Sequence, residues 1–109
     1  SAASDVYKRQ INYINDNYTS PVKLQTLASM CDVSASYFSK LFKKVTGENL
    51  IEHLNRLRIE RRKNELLTTN KSVQTIAKEI GFDDSGYFIK VFKGEVGCTP
   101  SAFRDLNSF

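Results

Sequence analysis

Apolar residues recur three and four positions apart along nearly the whole chain, and nowhere do they alternate with polar residues as in a half-buried strand. This spacing places them on one face of a helix, so the pattern predicts an all-α fold of about seven helices. The first three stripes are Tyr7, Ile11, Ile14 and Tyr18; Leu24, Leu27, Ala28 and Cys31; and Phe38, Leu41, Phe42 and Val45. The last three are Val73, Ile76, Ala77 and Ile80; Phe88, Val91, Phe92 and Val96; and Phe103 and Leu106.

Residues that favour helix ends mark the boundaries of these helices. Ser34 and Ser72 are expected to cap the third and fifth helices, because a serine hydroxyl accepts a hydrogen bond from the first turn. Thr99 followed by Pro100 is a cap with proline at the first helical position. Gly47 is expected to end the third helix, since glycine adopts left-handed backbone readily.

The chain repeats itself at an interval of about fifty residues. The matched positions are Leu27-Ala28 with Ile76-Ala77, Asp32-Val33 with Gly81-Phe82, Tyr37-Phe38 with Tyr87-Phe88, Lys40 with Lys90, Phe42-Lys43 with Phe92-Lys93, and Gly47 with Gly97. Each half therefore predicts a helix, a tight turn and a second helix. Ala28 and Ala77 supply the small residue where two helices cross, while Asp32 and Gly81 suit a left-handed turn. Two such units in one register predict a pair of helix-turn-helix subdomains.

A long fourth helix is predicted to join the two units. The expected organisation is a disordered or cloning-derived end at 1–5, subdomains at 6–48 and 72–106, and a linker helix at 49–67. Its first stripe (Leu50, Leu54, Leu57) should pack on the N-terminal subdomain and its second (Ile59, Leu66) on the C-terminal one. Such a helix is on the order of 28 Å long, near the ~34 Å that separates successive major-groove faces of a duplex. Its basic residues are expected mainly on a solvated face or paired with Glu60 and Glu65, and they are Arg56, Arg58, Arg61, Arg62 and Lys63.

Composition and charge agree with a helical DNA-binding protein without requiring one. The chain is 40% hydrophobic and 26% charged, with a net charge of +4 that is only mildly favourable for nucleic-acid binding. No apolar run is long enough to span a bilayer and no secretion signal opens the chain, so a cytoplasmic, nucleoid-associated protein without membrane contact is expected. Because the first residue is Ser1 rather than methionine, we expect a fragment of a longer protein.

The cysteines and the single histidine do not form a metal or disulfide pattern. Cys31 and Cys98 lie far apart in the sequence and share the chain with one histidine, His53. This suits free thiols in a reducing compartment, with no metal and no other cofactor. The repeat predicts that His53 packs in the first unit where Phe103 packs in the second.

Once the apolar stripes are buried, the second helix of each unit keeps a side with serine and lysine. The second helix of a helix-turn-helix enters the major groove, with its N-terminal part nearest the base edges. This places Ser36, Ser39, Ser85, Lys40 and Lys90 to meet bases. The phosphate-facing set, which orients the protein without reading sequence, is Ser34, Tyr37, Lys43, Lys44, Tyr87 and Lys93.

Two kinds of residue on these helices leave alternatives open. Ile89 is either an isolated apolar surface residue or a contact for a thymine methyl group in the major groove. Tyr37 and Tyr87 are expected to be half-buried packing residues whose hydroxyls reach a phosphate at most.

The chain resembles the DNA-binding domain of the AraC/XylS family of bacterial transcription regulators from Val6 to Leu106. The resemblance is strongest in Ile76-Ala77-Lys78-Glu79-Ile80-Gly81-Phe82, in Tyr87-Phe88-Ile89-Lys90-Val91-Phe92-Lys93 and in Gly97-Cys98-Thr99-Pro100-Ser101-Ala102-Phe103-Arg104. It implies seven helices and sequence-specific binding of operator or promoter DNA. It also implies RNA polymerase and an upstream sensor or dimerisation domain as partners. The implied base-facing positions are Ser36, Ser39 and Lys40, with Ser85, Gly86, Ile89 and Lys90.

The chain departs from that family at two linker positions and in its basic residues. Arg62 stands where the family usually has a small residue, and Glu65 where it has an aliphatic one. The stem of Arg62 is expected to lie across apolar surface. Lys40 and Lys90 stand where related proteins often carry arginine, so bidentate recognition of guanine is not expected.

Two other functions are compatible with the pattern. A helical module could bind proteins instead of DNA, and a DNA-repair alkyltransferase could use such a domain for targeting. An enzyme would need Cys31 or Cys98 activated by His53, and the sequence does not gather them into a site. The sequence therefore predicts a DNA-binding domain that is not an enzyme.

Overall fold

Eight helical segments and no strand make up residues 2–107, the part of the chain whose backbone the computed structural model describes; side chains are described for residues 8–107. The all-α prediction is confirmed. The segments are α1 (Ala2–Asn17), α2 (Leu24–Ser29), α3 (Ala35–Thr46), α4 (Leu50–Arg62), α5 (Glu65–Thr68), α6 (Val73–Glu79), α7 (Ser85–Val96) and α8 (Pro100–Leu106).

The N-terminal end of the chain differs from the expectation of disorder. Helix α1 begins at Ala2, so residues 2–5 have helical backbone. Ser1 lies outside the described residues, as does the side chain of Tyr7 that was assigned to the first stripe.

The linker helix predicted over 49–67 is divided in two. Helix α4 ends at Arg62, and α5 begins at Glu65. At the break, the backbone N–H of Leu66 donates to Lys63 and that of Leu67 to Asn64, which are three-residue rather than four-residue steps. The thirteen residues of α4 span only about 20 Å, so the prediction of a continuous 28 Å connector helix was wrong.

The predicted caps and turns are confirmed. The hydroxyls of Ser34, Ser72 and Thr99 each accept a backbone N–H from the first turn of α3, α6 and α8. The tight turns contain left-handed backbone at Asp32 (φ 55°) and Gly81 (φ 107°). The repeat therefore identified the turn residues correctly from chemistry alone.

The chain forms two compact units that divide within α4, the first ending at Leu54 and the second beginning at Asn55. In the first unit α2 packs on α3. Its buried apolar residues are Ile14, Leu27, Ala28, Phe38, Phe42 and Leu54. In the second unit the core consists of Ile59, Leu66, Ile76, Ala77, Ile80, Phe82, Phe88 and Phe92. Val73, Val91, Val96 and Phe103 pack against this core.

Two residues of the predicted stripes are exposed, Leu106 (75%) at the end of α8 and Val45 in α3. Val45 is 57% exposed, although its spacing placed it with Phe38 and Phe42. In the register of the repeat Val45 corresponds to Glu95, which is also exposed. The repeat therefore indicated correctly that Val45 is exposed, whereas the helical spacing of apolar residues did not.

Candidate nucleic-acid interface

Helix α3 turns one polar side away from the core of the first unit. Phe38 and Phe42 are buried and anchor the helix, while Ser36 and Lys40 are exposed. Ser39 is half-buried, and it lines an apolar pocket with Val22, Leu24, Asn49, Leu50 and Ile51. Ser36 and Lys40 are thus the accessible members of the base-facing set on this helix, and Ser39 lies at its margin.

Helix α7 presents the equivalent side of the second unit. Phe88 and Phe92 are fully buried, whereas Gly86, Lys90 and Ile89 are exposed, Ile89 to 36%. Ser85, the first helical residue, is half-buried. The carboxylate of Asp84 caps the helix by accepting the N–H of Gly86 at 2.8 Å and that of Tyr87 at 3.3 Å. Sequence reasoning missed this cap because the adjacent Ser85 is itself a common cap residue.

The lysines of the phosphate-facing set lie in the second half of each helix. Lys43, Lys44 and Lys93 are all exposed. Ser34 is exposed as well, but its oxygen already accepts the N–H of Tyr37 at 3.1 Å. The oxygen of Ser34 therefore caps α3, and its hydroxyl hydrogen is still available to donate to a phosphate.

The two tyrosines are more exposed than the sequence suggested. Tyr37 is 56% and Tyr87 is 44% exposed, so both lie at the surface, although the ring of Tyr87 is 6.1 Å from that of the buried Phe82. The hydroxyl of Tyr87 accepts a hydrogen bond from the side-chain amide of Asn55 at 2.9 Å. Sequence reasoning did not single out Asn55, because 32 positions separate the two residues and no local pattern connects them.

Arg58 does not belong to a solvated face, in contrast to the expectation for the basic residues of the linker. It is 8% exposed, and its guanidinium carbon lies 5.3 Å from the centre of the Phe82 ring, a cation–π distance. Desolvation by burial lowers the pKa of Arg58 from its usual value, while the negative charge of Asp83 opposes that shift. The stem and head of Arg58 therefore contribute to the packing around the turn before α7.

His53 and the cysteines occupy separate structural roles. The ring of His53 meets that of Phe42 edge-on at 5.3 Å, as the ring of Phe103 meets that of Phe92 at 5.5 Å. The packing equivalence that the repeat predicted is confirmed. The Nδ1 atom of His53 lies 3.0 Å from a carboxylate oxygen of Glu48. The thiol of Cys31 lies 3.5 Å from the carbonyl oxygen of Ala28, within the range of a weak S–H hydrogen bond.

The part of the chain that the structure describes holds neither a membrane-spanning helix nor a cluster of metal-ligating residues. Within residues 2–107, no helix is long and apolar enough to cross a membrane. Among residues 8–107, whose side chains are described, no group of three or more histidine, cysteine, aspartate and glutamate residues is arranged to hold a metal ion.

The chain matches known proteins over most of its length. A family model described as "Helix-turn-helix domain" matches residues 27–105. The "Bifunctional transcriptional activator/DNA repair enzyme AdaA" of Bacillus subtilis is 36% identical over 95 residues, which cover 87% of this chain and 45% of that protein. The chain thus spans about half the length, or less, of curated relatives that it matches.

Solved structures share the fold. A probable AraC family transcriptional regulator from Rhodopseudomonas palustris superimposes with a TM-score of 0.84 at 22% identity, covering 94% of this chain and 96% of that one. The DNA-binding domain of AdpA, solved in complex with a target DNA, superimposes with a TM-score of 0.80 at 22% identity, covering 95% and 90%. Because the family match covers most of the chain and the helix-turn-helix unit is repeated, this chain belongs to the AraC/XylS family of helix-turn-helix DNA-binding transcription regulators.

Proposed function

We propose that this chain binds operator or promoter DNA by inserting α3 and α7 into successive major grooves of one duplex. The observation that carries the proposal is the equivalence of the two exposed sides. Each unit buries two phenylalanines of its second helix and leaves a lysine outward at the matching position, Lys40 on α3 and Lys90 on α7. Such a repeated outward side is what two recognition helices require.

The residues divide into those that read bases and those that hold the backbone. Base-facing roles go to Ser36, Ser39, Lys40, Ser85, Gly86, Ile89 and Lys90. Phosphate-facing roles go to Ser34, Tyr37, Lys43, Lys44, Tyr87 and Lys93. The 36% exposure of Ile89 lets its side chain contact a thymine methyl group. The AdpA domain, similar in fold, was solved with its target DNA, and this supports the extension of DNA contact to the present chain.

The partners beyond DNA follow from the length of the relatives. Because those proteins are longer than this chain, we propose that an upstream sensor or dimerisation domain accompanies it in the whole regulator. RNA polymerase is the proposed partner at the promoter, and the nucleoid in the cytoplasm the proposed location. One relative combines activation with DNA repair, but we assign this chain the binding role alone, because the sequence does not gather Cys31 or Cys98 with His53 into a catalytic site.

Selection of bound duplexes from a random pool tests the proposal. Two short conserved blocks whose centres are separated by about 10 base pairs are expected, because that spacing returns the groove to the same side of the duplex. Affinity for the selected duplex should fall steeply between about 50 and 200 mM salt as phosphate contacts weaken. Recovery of no preferred sequence, together with salt-independent binding, would favour a protein-interaction module instead. A single conserved block would restrict reading to one unit.

A further inference from the structure

We infer that Asn55 is a positioning residue for DNA binding: its amide holds the Tyr87 hydroxyl so that the hydroxyl hydrogen is presented to a phosphate oxygen. The inference rests on the proposed function and adds to it a residue outside both recognition helices. Asn55 lies on α4 and Tyr87 in the first turn of α7, and both belong to the second compact unit.

Tyr87 is held at three points. Its backbone N–H donates to the carboxylate of Asp84, the cap of α7. Its ring packs near that of Phe82, with the ring centres 6.1 Å apart, and Phe82 is itself buried in the core of the unit. Its hydroxyl oxygen accepts the hydrogen bond of 2.9 Å from Asn55 Nδ2. Backbone, ring and hydroxyl are therefore each constrained by a different neighbour.

The direction of the Asn55 hydrogen bond decides what the hydroxyl can offer to DNA. A tyrosine hydroxyl has one hydrogen to donate and lone pairs to accept with. The amide of Asn55 occupies the acceptor side, so the O–H bond is left to point toward another acceptor. Within residues 8–107, whose side chains are described, no acceptor takes that hydrogen, and 44% of the residue is exposed. A phosphate oxygen accepts such a hydrogen bond strongly because it is charged.

The position of the hydroxyl matches a phosphate at the edge of the groove. Tyr87 lies between Gly86 and the pair Ile89 and Lys90, all of which are exposed on α7. Contacts to phosphates beside a recognition helix fix its register on the duplex. A donor that is already oriented loses less rotational freedom on binding than one that must be ordered by the DNA.

Tyr37 provides the contrast within the same chain. It is the counterpart of Tyr87 in the repeat, and it is more exposed, at 56%. Among residues 8–107 its hydroxyl has no hydrogen-bond partner corresponding to Asn55. Tyr37 is therefore an internal control, because any contribution from its hydroxyl should not depend on Asn55.

A cycle of substitutions in the whole chain tests the inference by fluorescence anisotropy with a selected duplex and a random-sequence duplex. Tyr87→Phe is expected to weaken binding to both duplexes by roughly five- to tenfold, since a phosphate contact is independent of sequence. Asn55→Asp replaces the amide donor by a carboxylate, which accepts the hydroxyl hydrogen and turns it away from DNA. In that background Tyr87→Phe should have less than about a twofold further effect. Tyr37→Phe should have the same effect in both backgrounds.

A neutral methylphosphonate placed in turn at each backbone position of the selected duplex identifies the acceptor. At one position it should abolish the difference between the unmodified chain and Tyr87→Phe, because the charged oxygen is gone. The absence of any such position would contradict a phosphate contact.

Other results separate the inference from the proposed function. A full five- to tenfold cost of Tyr87→Phe in the Asn55→Asp background would show that the hydroxyl acts without Asn55. A lower denaturation midpoint for Tyr87→Phe with unchanged affinity for both duplexes would make the pair a structural contact only. In both cases DNA binding by the unmodified chain stands, whereas failure of the unmodified chain to bind either duplex overturns the proposed function and the inference with it.

Discussion

At the scale of single residues, the two departures from the family pattern compensate for each other. The guanidinium of Arg62 donates from Nε to the carboxylate of Glu65 at 2.6 Å, and a second nitrogen lies 2.5 Å from the same oxygen. About a quarter of each side chain is exposed, 28% for Arg62 and 24% for Glu65. The other oxygen of Glu65 is buried and has no hydrogen-bond partner. A carboxylate in this position therefore depends on the arginine beside it.

Substitution of Arg62 tests whether the carboxylate of Glu65 depends on it for stability. Arg62→Ala should lower the free energy of unfolding by about 1–2 kcal/mol, because a partly buried carboxylate loses its charged partner. The double variant Arg62→Ala/Glu65→Leu should recover most of the loss, since leucine restores the aliphatic residue typical of this position. Urea denaturation measures both.

Lys63→Ala is the matched control for the Arg62 variant. Lys63 pairs with Glu60 at 3.3 Å, and these side chains are more exposed, at 31% and 47%. Its removal should change stability by less than about 0.5 kcal/mol. An equal effect of Lys63→Ala and Arg62→Ala, or no recovery in the double variant, would contradict the compensation.

At the scale of helices, the apolar pattern predicted most elements, and the break after α4 was the main error. No proline or glycine stands between Arg62 and Glu65, and the basic last turn followed by Asn64 is a weaker mark of a helix end. Ile59 and Leu66 are both buried, and their spacing of seven residues is equally compatible with a continuous helix. The end of α5 lies one residue beyond the predicted end of the linker, and Arg104 fixes it, because its guanidinium donates to the carbonyl oxygens of Leu66 and Lys71. A contact across 38 positions cannot be read from a window of sequence.

The turns were predictable because backbone chemistry is local. Gly81 has a φ of 107°, which a side chain makes costly, whereas Asp32 at φ 55° lies where aspartate is tolerated. The exposure of Tyr37 and the Asn55–Tyr87 hydrogen bond were not predictable in this way, because they depend on which helices pack together. The sequence thus defined the helices and outward sides, and the structure added the contacts that orient individual side chains.

The same substitution at two glycines should have opposite effects. Gly81→Ala is expected to destabilise the chain by about 1–2 kcal/mol, because alanine does not favour positive φ. Gly94 lies within α7, and a Cβ added there meets nothing within 4 Å. Gly94→Ala should therefore stabilise the chain by about 0.5–1 kcal/mol through helix propensity. Thermal and urea denaturation check both signs, and the account of the turn would be wrong if Gly81→Ala were neutral.

At the scale of the whole molecule, the placement of charge matters more than its amount. A net charge of +4 is small for a DNA-binding protein, yet exposed lysines recur at matching positions of α3 and α7. Two kinds of lysine contact are proposed on each helix, one to bases and one to phosphates. These contacts differ in their dependence on DNA sequence and on salt, so the two roles can be separated experimentally.

Alanine substitution of the paired lysines distinguishes binding by two units from binding by one. Lys90→Ala should weaken binding to the selected duplex by roughly 1–3 kcal/mol and leave random DNA little affected, because a base contact is lost. Lys93→Ala should weaken binding to both duplexes and reduce the slope of log affinity against log salt by about one, because a phosphate contact is lost.

If both units engage the same duplex, Lys40→Ala should reproduce the pattern expected for Lys90→Ala, and Lys43→Ala the pattern expected for Lys93→Ala. Anisotropy titrations from 50 to 200 mM salt, in the range where phosphate contacts dominate, provide both slopes and affinities. If Lys40→Ala and Lys43→Ala left the affinity unchanged while Lys90→Ala and Lys93→Ala lowered it, DNA reading would be assigned to α7 alone. Two inserted recognition helices require a loss of affinity from substitutions in both.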